Sequence, residues 1–296
     1  MSSLREAMTR FSPVLRKLGV VLVLGIIPLA VGVGLAQLVA PQPAVGIVKI
    51  NAEIWPFTLN FFMQEIEEAR RDPRIRAVVL QVDSPGGEVV ATQSLYLEIQ
   101  KLRSQMPVVA SIDGTAASGA YYIAVATDPL FAKPSSTVGN VGVWGITPPD
   151  IGVNDAVLAS GPFKLTASNE EEFIRTIEGI KQEFIATVVN QRGERLKISP
   201  VDLSQGLAYA GREAQHLGLV DHLGAQADAI AAAAAQAGIV NYDVVDLEAR
   251  VIARLLAAST PAPQEGRPGA AEPQTGRRQL PPGVYLLYDA QLGGAP

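Results

Sequence analysis

The chain of 296 residues has no cysteine and only two histidines, His216 and His222. The first absence excludes disulfides, thiolate metal sites and cysteine nucleophiles, and leaves the redox compartment open. Aromatic residues make up 6% and charged residues 18%, and no internal repeat is visible. Net charge is −5, and residues 1–17 hold Arg5, Arg10, Arg16 and Lys17 against Glu6, a local +3 that leaves −8 on the rest. An acidic body without a basic stripe argues against nucleic-acid binding.

Charge is also missing from Leu18 to Val48, and Leu18 to Ala40 is almost wholly apolar. As a helix rising about 1.5 Å per residue, that stretch spans roughly 34 Å, enough for a bilayer core. Basic residues precede it, so the positive-inside rule keeps the N-terminus cytoplasmic and exports the chain beyond Ala40. Pro28 is tolerable there as a kink. The rivals are a cleaved signal peptide, disfavoured because the run exceeds the usual core length, and a buried soluble helix, disfavoured because no polar face appears. The expected organisation is a cytoplasmic N-terminus (1–17), a transmembrane helix (18–40), an exported domain (41–258) and a flexible C-terminal tail (259–296).

Beyond Pro41-Gln-Pro43, apolar runs alternate with helical patterns. Ala44–Ile50, Ala77–Val82 and Pro107–Ile112 read as buried strands, and Phe57–Arg71 and Glu88–Leu102 as helices, with a further helix from Thr115 to Ala126. Leu130–Lys133 and Val138–Val143 read as short strands. Glu170–Asn190 is a long amphipathic helix, followed by short helical pieces over Pro200–Leu217. Gly218–Asp221 resembles a strand-like stop, Ala225–Ala237 is an alanine-rich helix, and Tyr242–Leu247 is a last strand leading into a helix to about Ala258. The alternation predicts an α/β fold, a mainly parallel sheet with crossover helices. Thr260–Gln279, rich in Pro, Gly and Gln, reads as disordered. Leu280–Tyr288 then recovers apolar character and is expected to dock; the flexible stretch could carry Val284–Ala290 to a neighbouring chain's cleft as a self-inhibitory or self-cleaved segment.

Three features could carry chemistry. Asp83-Ser-Pro-Gly-Gly87 ends a strand in a turn whose exposed N–H groups could hold an oxyanion, or could be a turn with no ligand. Ser118 follows the third strand in Gly114-Thr-Ala-Ala-Ser118 beside Gly119 and Ala120. It is either a nucleophile with room for a substrate backbone or a helix-capping serine. A serine needs a base, and the two histidines lie in a segment that reads as a structural corner. Of seven lysines, Lys164 stands apart: it follows Gly161-Pro-Phe163 with no acid within five residues. Desolvated, such a lysine is partly free amine at neutral pH; solvated, it is an ordinary loop residue.

Together, Asp83-Ser-Pro-Gly-Gly87, Ala116-Ala-Ser-Gly-Ala-Tyr-Tyr122, Val138-Gly-Asn-Val-Gly-Val143, Ser160-Gly-Pro-Phe-Lys164 and the run Gly211–Asp221 resemble the signal peptide peptidase A family over roughly residues 44–240. That family consists of membrane-bound serine peptidases with a crotonase/Clp protease-like fold. The resemblance implies Ser118 as nucleophile and Lys164 as general base, with the N–H groups of Gly86 or Gly87 and of Gly119 as oxyanion hole, and no metal or organic cofactor. It further implies a homo-oligomeric ring in which neighbouring protomers share the dyad, and hydrophobic substrates such as remnant signal peptides or membrane proteins at the bilayer. The chain departs from the family pattern at Ala120 (usually a second glycine), at Asn140 (commonly serine), and in a short Trp144–Asp155 stretch that could shift the loop carrying Lys164. The rivals are a stomatin-cleaving Ser–Lys membrane peptidase, a catalytically silent peptide-binding ring scaffold, and an acyl-CoA hydratase or isomerase on the same fold.

Overall fold

A computed structural model of the chain describes residues 17–29, 31, 41–147, 160–161, 163–259 and 284–287. The chain divides into two units, Met1–Pro43 and Ala44–Pro296. In the first, residues 17–29 and 31 are helical, with a wider π-type turn over Leu22–Ile26. The apolar side chains described along it, from Leu18 to Val31, are exposed. Among the described residues no helix is long and apolar enough to cross a membrane; residues 30 and 32–40 of the expected span lie outside them.

The second unit is built on one sheet. Its backbone is β10 (Asp243–Asp246), β1 (Ala44–Ile50), β2 (Ile75–Ser84), β4 (Val108–Ala117), β5 (Leu130–Ala132) and β9 (His222–Leu223), in that spatial order and all parallel. β6 (Thr137–Gly139) adds parallel to the end of β4, and β8 (Ala208–Ala210) adds antiparallel to β6. Crossovers between parallel neighbours are helical: α1 (Pro56–Arg71) joins β1 to β2, and α2 (Val89–Arg103) leads to β4.

Period-two alternation sorts the strand residues between two cores. Val48, Ile50, Val78, Leu80 and Val82 face the large core with Phe62, Ile66, Leu95 and Ile99 of the two crossover helices. Val45, Ile47, Ala77 and Val79 face a smaller core completed by Ala229, Ala233 and Ala234 of the helix Gln226–Gln236. Burial on both faces is why these strands read as unbroken apolar runs. Two of the long helices start where a side chain satisfies free N–H groups: Glu88 accepts from Val90 and Ala91, and Asn169 accepts from Glu172.

Three local expectations need correction. The helix expected from Thr115 begins only at Gly119, because Thr115–Ala117 continue β4 and pair with Thr137–Gly139. The strand expected over Val138–Val143 stops at Gly139, where Gly139 (φ 105°) and Asn140 (φ 52°) turn the chain into the left-handed region. Within the expected helical stretch Pro200–Leu217, Ala208–Ala210 is a strand. A second, small sheet has the order β3 (Gly86–Glu88), β11 (Val284–Leu287), β7 (Trp144–Gly145), with both pairings antiparallel.

Candidate active site

Ser118 stands between the end of β4 and the six-residue helix Gly119–Ala124. Its backbone has φ 51° and ψ −124°, a conformation that costs a non-glycine residue about 1–3 kcal/mol unless its surroundings over-determine it. They do so here. Its N–H donates to the Gly139 carbonyl at 2.9 Å, and its carbonyl accepts from the N–H groups of Tyr121 and Tyr122, each at 3.0 Å. A serine held on a strained strand-to-helix turn is the arrangement that presents a hydroxyl nucleophile in α/β hydrolases. Ser118 is 2% exposed, its hydroxyl caps nothing, and Ala116, Ala117, Gly119 and Ala120 around it are all buried. The small residues were legible in the sequence; the positive φ was not.

The Asp83–Gly87 turn is locked to the same strand end. Ser84 is in register with Ala116, two residues before Ser118. The Asp83 carboxylate accepts the Thr115 N–H at 2.8 Å, and a β-carbon on Gly114 would overlap that carboxylate. Gly86 has φ 102°, and its N–H donates to its neighbour's hydroxyl, Ser84 Oγ, at 3.2 Å. Ile54 clamps the turn from outside: its N–H donates to Gly86 O and its carbonyl accepts from Glu88, both at 2.8 Å. A β-carbon on Gly87 would overlap that Ile54 carbonyl. Each glycine therefore has its own requirement, backbone sign at 86 and close approach at 87.

Asn140 takes up the polar contact that its place in the motif left open. Its side-chain amide donates to Gly206 O and its backbone N–H to Leu207 O, both at 2.8 Å, which fastens the turn that supplies Ser118 with its Gly139 partner.

Lys164 lies on an exposed turn in which its N–H donates to Gly161 O at 3.2 Å and Ala167 N–H to Phe163 O at 2.7 Å. Phe163 and Leu165 beside it are also exposed. Among the described residues no hydrogen bond joins Lys164 to Ser118; residues 148–159, which lead into this turn, lie outside them. Within one chain, Lys164 is therefore solvated.

The Gly211–Asp221 run is a brace, as its sequence suggested. Arg192, buried, donates to both oxygens of Asp221 at 2.8 and 2.9 Å and to Gly218 O at 2.8 Å. Burial alone would raise the Asp221 carboxyl, but the hydrogen bonds and charge of Arg192 outweigh it and leave the group below its usual range. Tyr121, three residues past Ser118, donates its hydroxyl to Leu219 O at 2.8 Å, so the brace also fixes the short helix. His222 is exposed, its ring 5.0 Å from that of Phe131, and His216 is exposed at a helix end. Among the described residues no cluster of three or more His, Asp or Glu could hold a metal ion.

The family model for peptidase family S49 matches residues 100–240, which include Ser118, Lys164 and the brace. That match covers just under half of the chain. A Clp protease model matches residues 46–138, the part of the chain that builds β1 to β6. A proposed protease of Methanocaldococcus jannaschii is 27% identical over 202 residues, covering 63% of this chain and 64% of that protein. Protease 4 of Salmonella typhi is 33% identical over 184 residues, 57% of this chain and 30% of that one. A protein named as a signal peptide peptidase in Enterococcus faecium is 28% identical over 183 residues, 57% and 53% of the two chains. The motif resemblance to signal peptide peptidase A is thus met, although the chain spans less than two thirds of the length of these relatives. Among solved structures, a lysine-to-alanine mutant of the membrane-bound stomatin-specific protease 1510-N with a substrate peptide aligns at TM-score 0.50 and 18% identity. It covers 74% of this chain and 100% of that one, a likeness of fold.

Proposed function

We propose that the chain is a serine endopeptidase in which Ser118 attacks the scissile carbonyl and Lys164 is the general base. The observation that carries this reading is the strained backbone of Ser118 at a strand-to-helix turn, with a buried hydroxyl that caps no helix and has no hydrogen bond among the described residues. The Lys164 amine takes the Ser118 hydroxyl proton as the C–O bond forms, and the ammonium returns it to the departing amine as the acyl-enzyme is left. Water then attacks the ester, giving its proton to Lys164, and collapse of the second intermediate restores the Ser118 hydroxyl. A positioned base contributes about 10²–10⁴-fold, and one oxyanion donor roughly 3 kcal/mol. For the oxyanion, the N–H of Gly119 opens a helix and has no carbonyl four residues back to bond. Gly86 and Gly87 are both candidates for its companion: the Gly86 N–H is engaged by Ser84, and Gly87 lies opposite Leu286 in the small sheet.

Lys164 is exposed on its own chain, whereas a general base must lie within hydrogen-bond reach of the hydroxyl it serves. A dyad completed between protomers of a homo-oligomer meets that need. The apolar N-terminal helix with its basic flank supports anchoring through residues 18–40, N-terminus cytoplasmic and peptidase domain on the outer side of the cell membrane. Apolar peptides near the bilayer, such as remnant signal peptides, are then the substrate class. The test is hydrolysis of casein and of an apolar peptide, together with labelling by an alkyl fluorophosphonate. Wild type should be active and labelled on Ser118, Ser118→Ala inactive and unlabelled, and Lys164→Ala inactive. Undiminished hydrolysis by Ser118→Ala would refute the proposal.

A further inference from the structure

The small sheet lies beside the candidate nucleophile, and its middle strand comes from the far C-terminus. Val284–Leu287 pairs antiparallel with Gly86–Glu88 on one side and with Trp144–Gly145 on the other. On its remaining edge, Gly86–Glu88 meets only an isolated bridge from Ile54. Without β11, the edge of Gly86–Glu88 that faces away from Ile54 would line an open slot. Such edges accept an extended peptide through main-chain hydrogen bonds with little regard to its sequence.

The register gives the slot a direction. Tyr285 lies opposite Glu88, Leu286 opposite Gly87 and Leu287 opposite Gly86. The tail therefore runs toward the end of β2, where Ser84 pairs with Ala116 and Ser118 follows two residues on. A peptide in this slot enters with its N-terminal part at Glu88 and advances toward the nucleophile past the glycines proposed for the oxyanion. The slot is backed from the helix side: a β-carbon on Gly145 would press on Phe173 and Ile177.

We infer that Val284–Leu287 is an internal competitor, a strand of the chain's own tail that occupies the peptide slot and must leave before a substrate enters. The inference rests on the proposed peptidase site and adds its regulation. The composition of the segment fits, since Val-Tyr-Leu-Leu has high strand propensity. Pro281-Pro-Gly283 precedes it and Asp289 follows closely. The tail needs no partner chain, because the pairing lies within one chain. A strand tethered to its own chain competes at an effective concentration in the millimolar range. Against a strand-peptide Kd of about 0.1 mM, that means roughly tenfold competition.

The experiment compares the full chain with a chain ending at Gln279 and with the full chain carrying both Tyr285→Pro and Leu286→Pro. Adjacent residues of a strand turn their N–H groups to opposite neighbours, so the double substitution removes one donor from each pairing. In peptide hydrolysis, KM should fall about tenfold in both altered chains with kcat changed less than twofold. A separate binding arm uses the Ser118→Ala background and a fluorescein-labelled peptide of residues 281–290, read by anisotropy. The peptide should bind the shortened and double-proline chains about tenfold more tightly than the full chain. Equal binding to all three, or no binding to the shortened chain, overturns the inference. If no form hydrolyses peptide and the binding difference persists, the tail inference stands and the catalytic reading fails. If the enzyme is active and the binding difference is absent, the tail inference fails and the catalytic reading stands.

Discussion

Replacing Ser118 by glycine should stabilise the protein relative to replacing it by alanine. At φ 51° and ψ −124° a β-carbon is unfavourable whether the residue is serine or alanine. Ser118→Ala therefore keeps the strain, and it loses no cap, because the hydroxyl makes none. Ser118→Gly releases about 1–3 kcal/mol of backbone strain and gives back about 0.5–1 kcal/mol through the greater freedom of glycine in the unfolded chain. The net expectation is a gain of roughly 0.5–2 kcal/mol over Ser118→Ala, with both variants inactive. Urea unfolding followed by tryptophan fluorescence is a suitable assay, since Trp55 is largely buried in the folded chain. With a slope of about 3 kcal/mol/M, the midpoint of Ser118→Gly should lie about 0.2–0.7 M above that of Ser118→Ala. Coincident midpoints, or glycine below alanine, would mean that the turn is not strained and would remove the observation on which the nucleophile assignment rests.

Three other outcomes follow from named contacts. Asp221→Asn leaves the buried Arg192 without its carboxylate partner and should lower stability by about 3–5 kcal/mol in thermal or urea unfolding; a loss below about 1 kcal/mol would contradict the brace. Glu65 is fully buried, with one oxygen accepting the Lys49 N–H at 2.8 Å and the other without a partner; burial raises its carboxyl to about 8. A group whose folded pKa is raised holds its proton longer in the native state, so its contribution is whole below about pH 4.5 and is lost as pH climbs to about 8. Glu65→Gln should flatten that decline in stability between about pH 5 and 8, and an unchanged pH slope would refute the assignment. Gly114→Ala should push the Asp83 carboxylate off the Thr115 N–H, at a cost of about 2–4 kcal/mol from overpacking and a lost charged hydrogen bond. It should also lower kcat at least tenfold by releasing the strand end that carries Ser118, which steady-state hydrolysis would detect.

How much of this was legible depended on how local the determining contacts are. β1 was read to the residue, because a strand buried on both faces announces itself as an apolar run between polar breaks. The long helix was equally plain from its amphipathic period, read as Glu170–Asn190 where the structure has Glu170–Arg192. Thr115–Ala117 misled because small residues carry no periodicity, and their strand state comes from Thr137–Gly139, some twenty residues away. The strain at Ser118 has the same distant origin, since its N–H is held by Gly139. At Asp83–Gly87 the glycines were visible, but the engagement of the Gly86 N–H by Ser84 is a matter of side-chain rotamer. Lys164 could be singled out by its lack of acidic neighbours, yet its solvation is set by what covers it, and one chain leaves it open. The apolar Leu280–Tyr288 segment was expected to dock, but only the strand pairing identified Gly86–Glu88 and Trp144–Gly145 of its own chain as the place.

The most direct measurement of the shared dyad is the activity of protein in which Ser118→Ala and Lys164→Ala chains are co-expressed and assembled together. Each variant alone should be inactive. Random mixing in a ring leaves an intact serine facing an intact lysine at about a quarter of the sites, so hydrolysis should return to that share of wild type. A co-assembled preparation as inactive as its two parents would contradict the account.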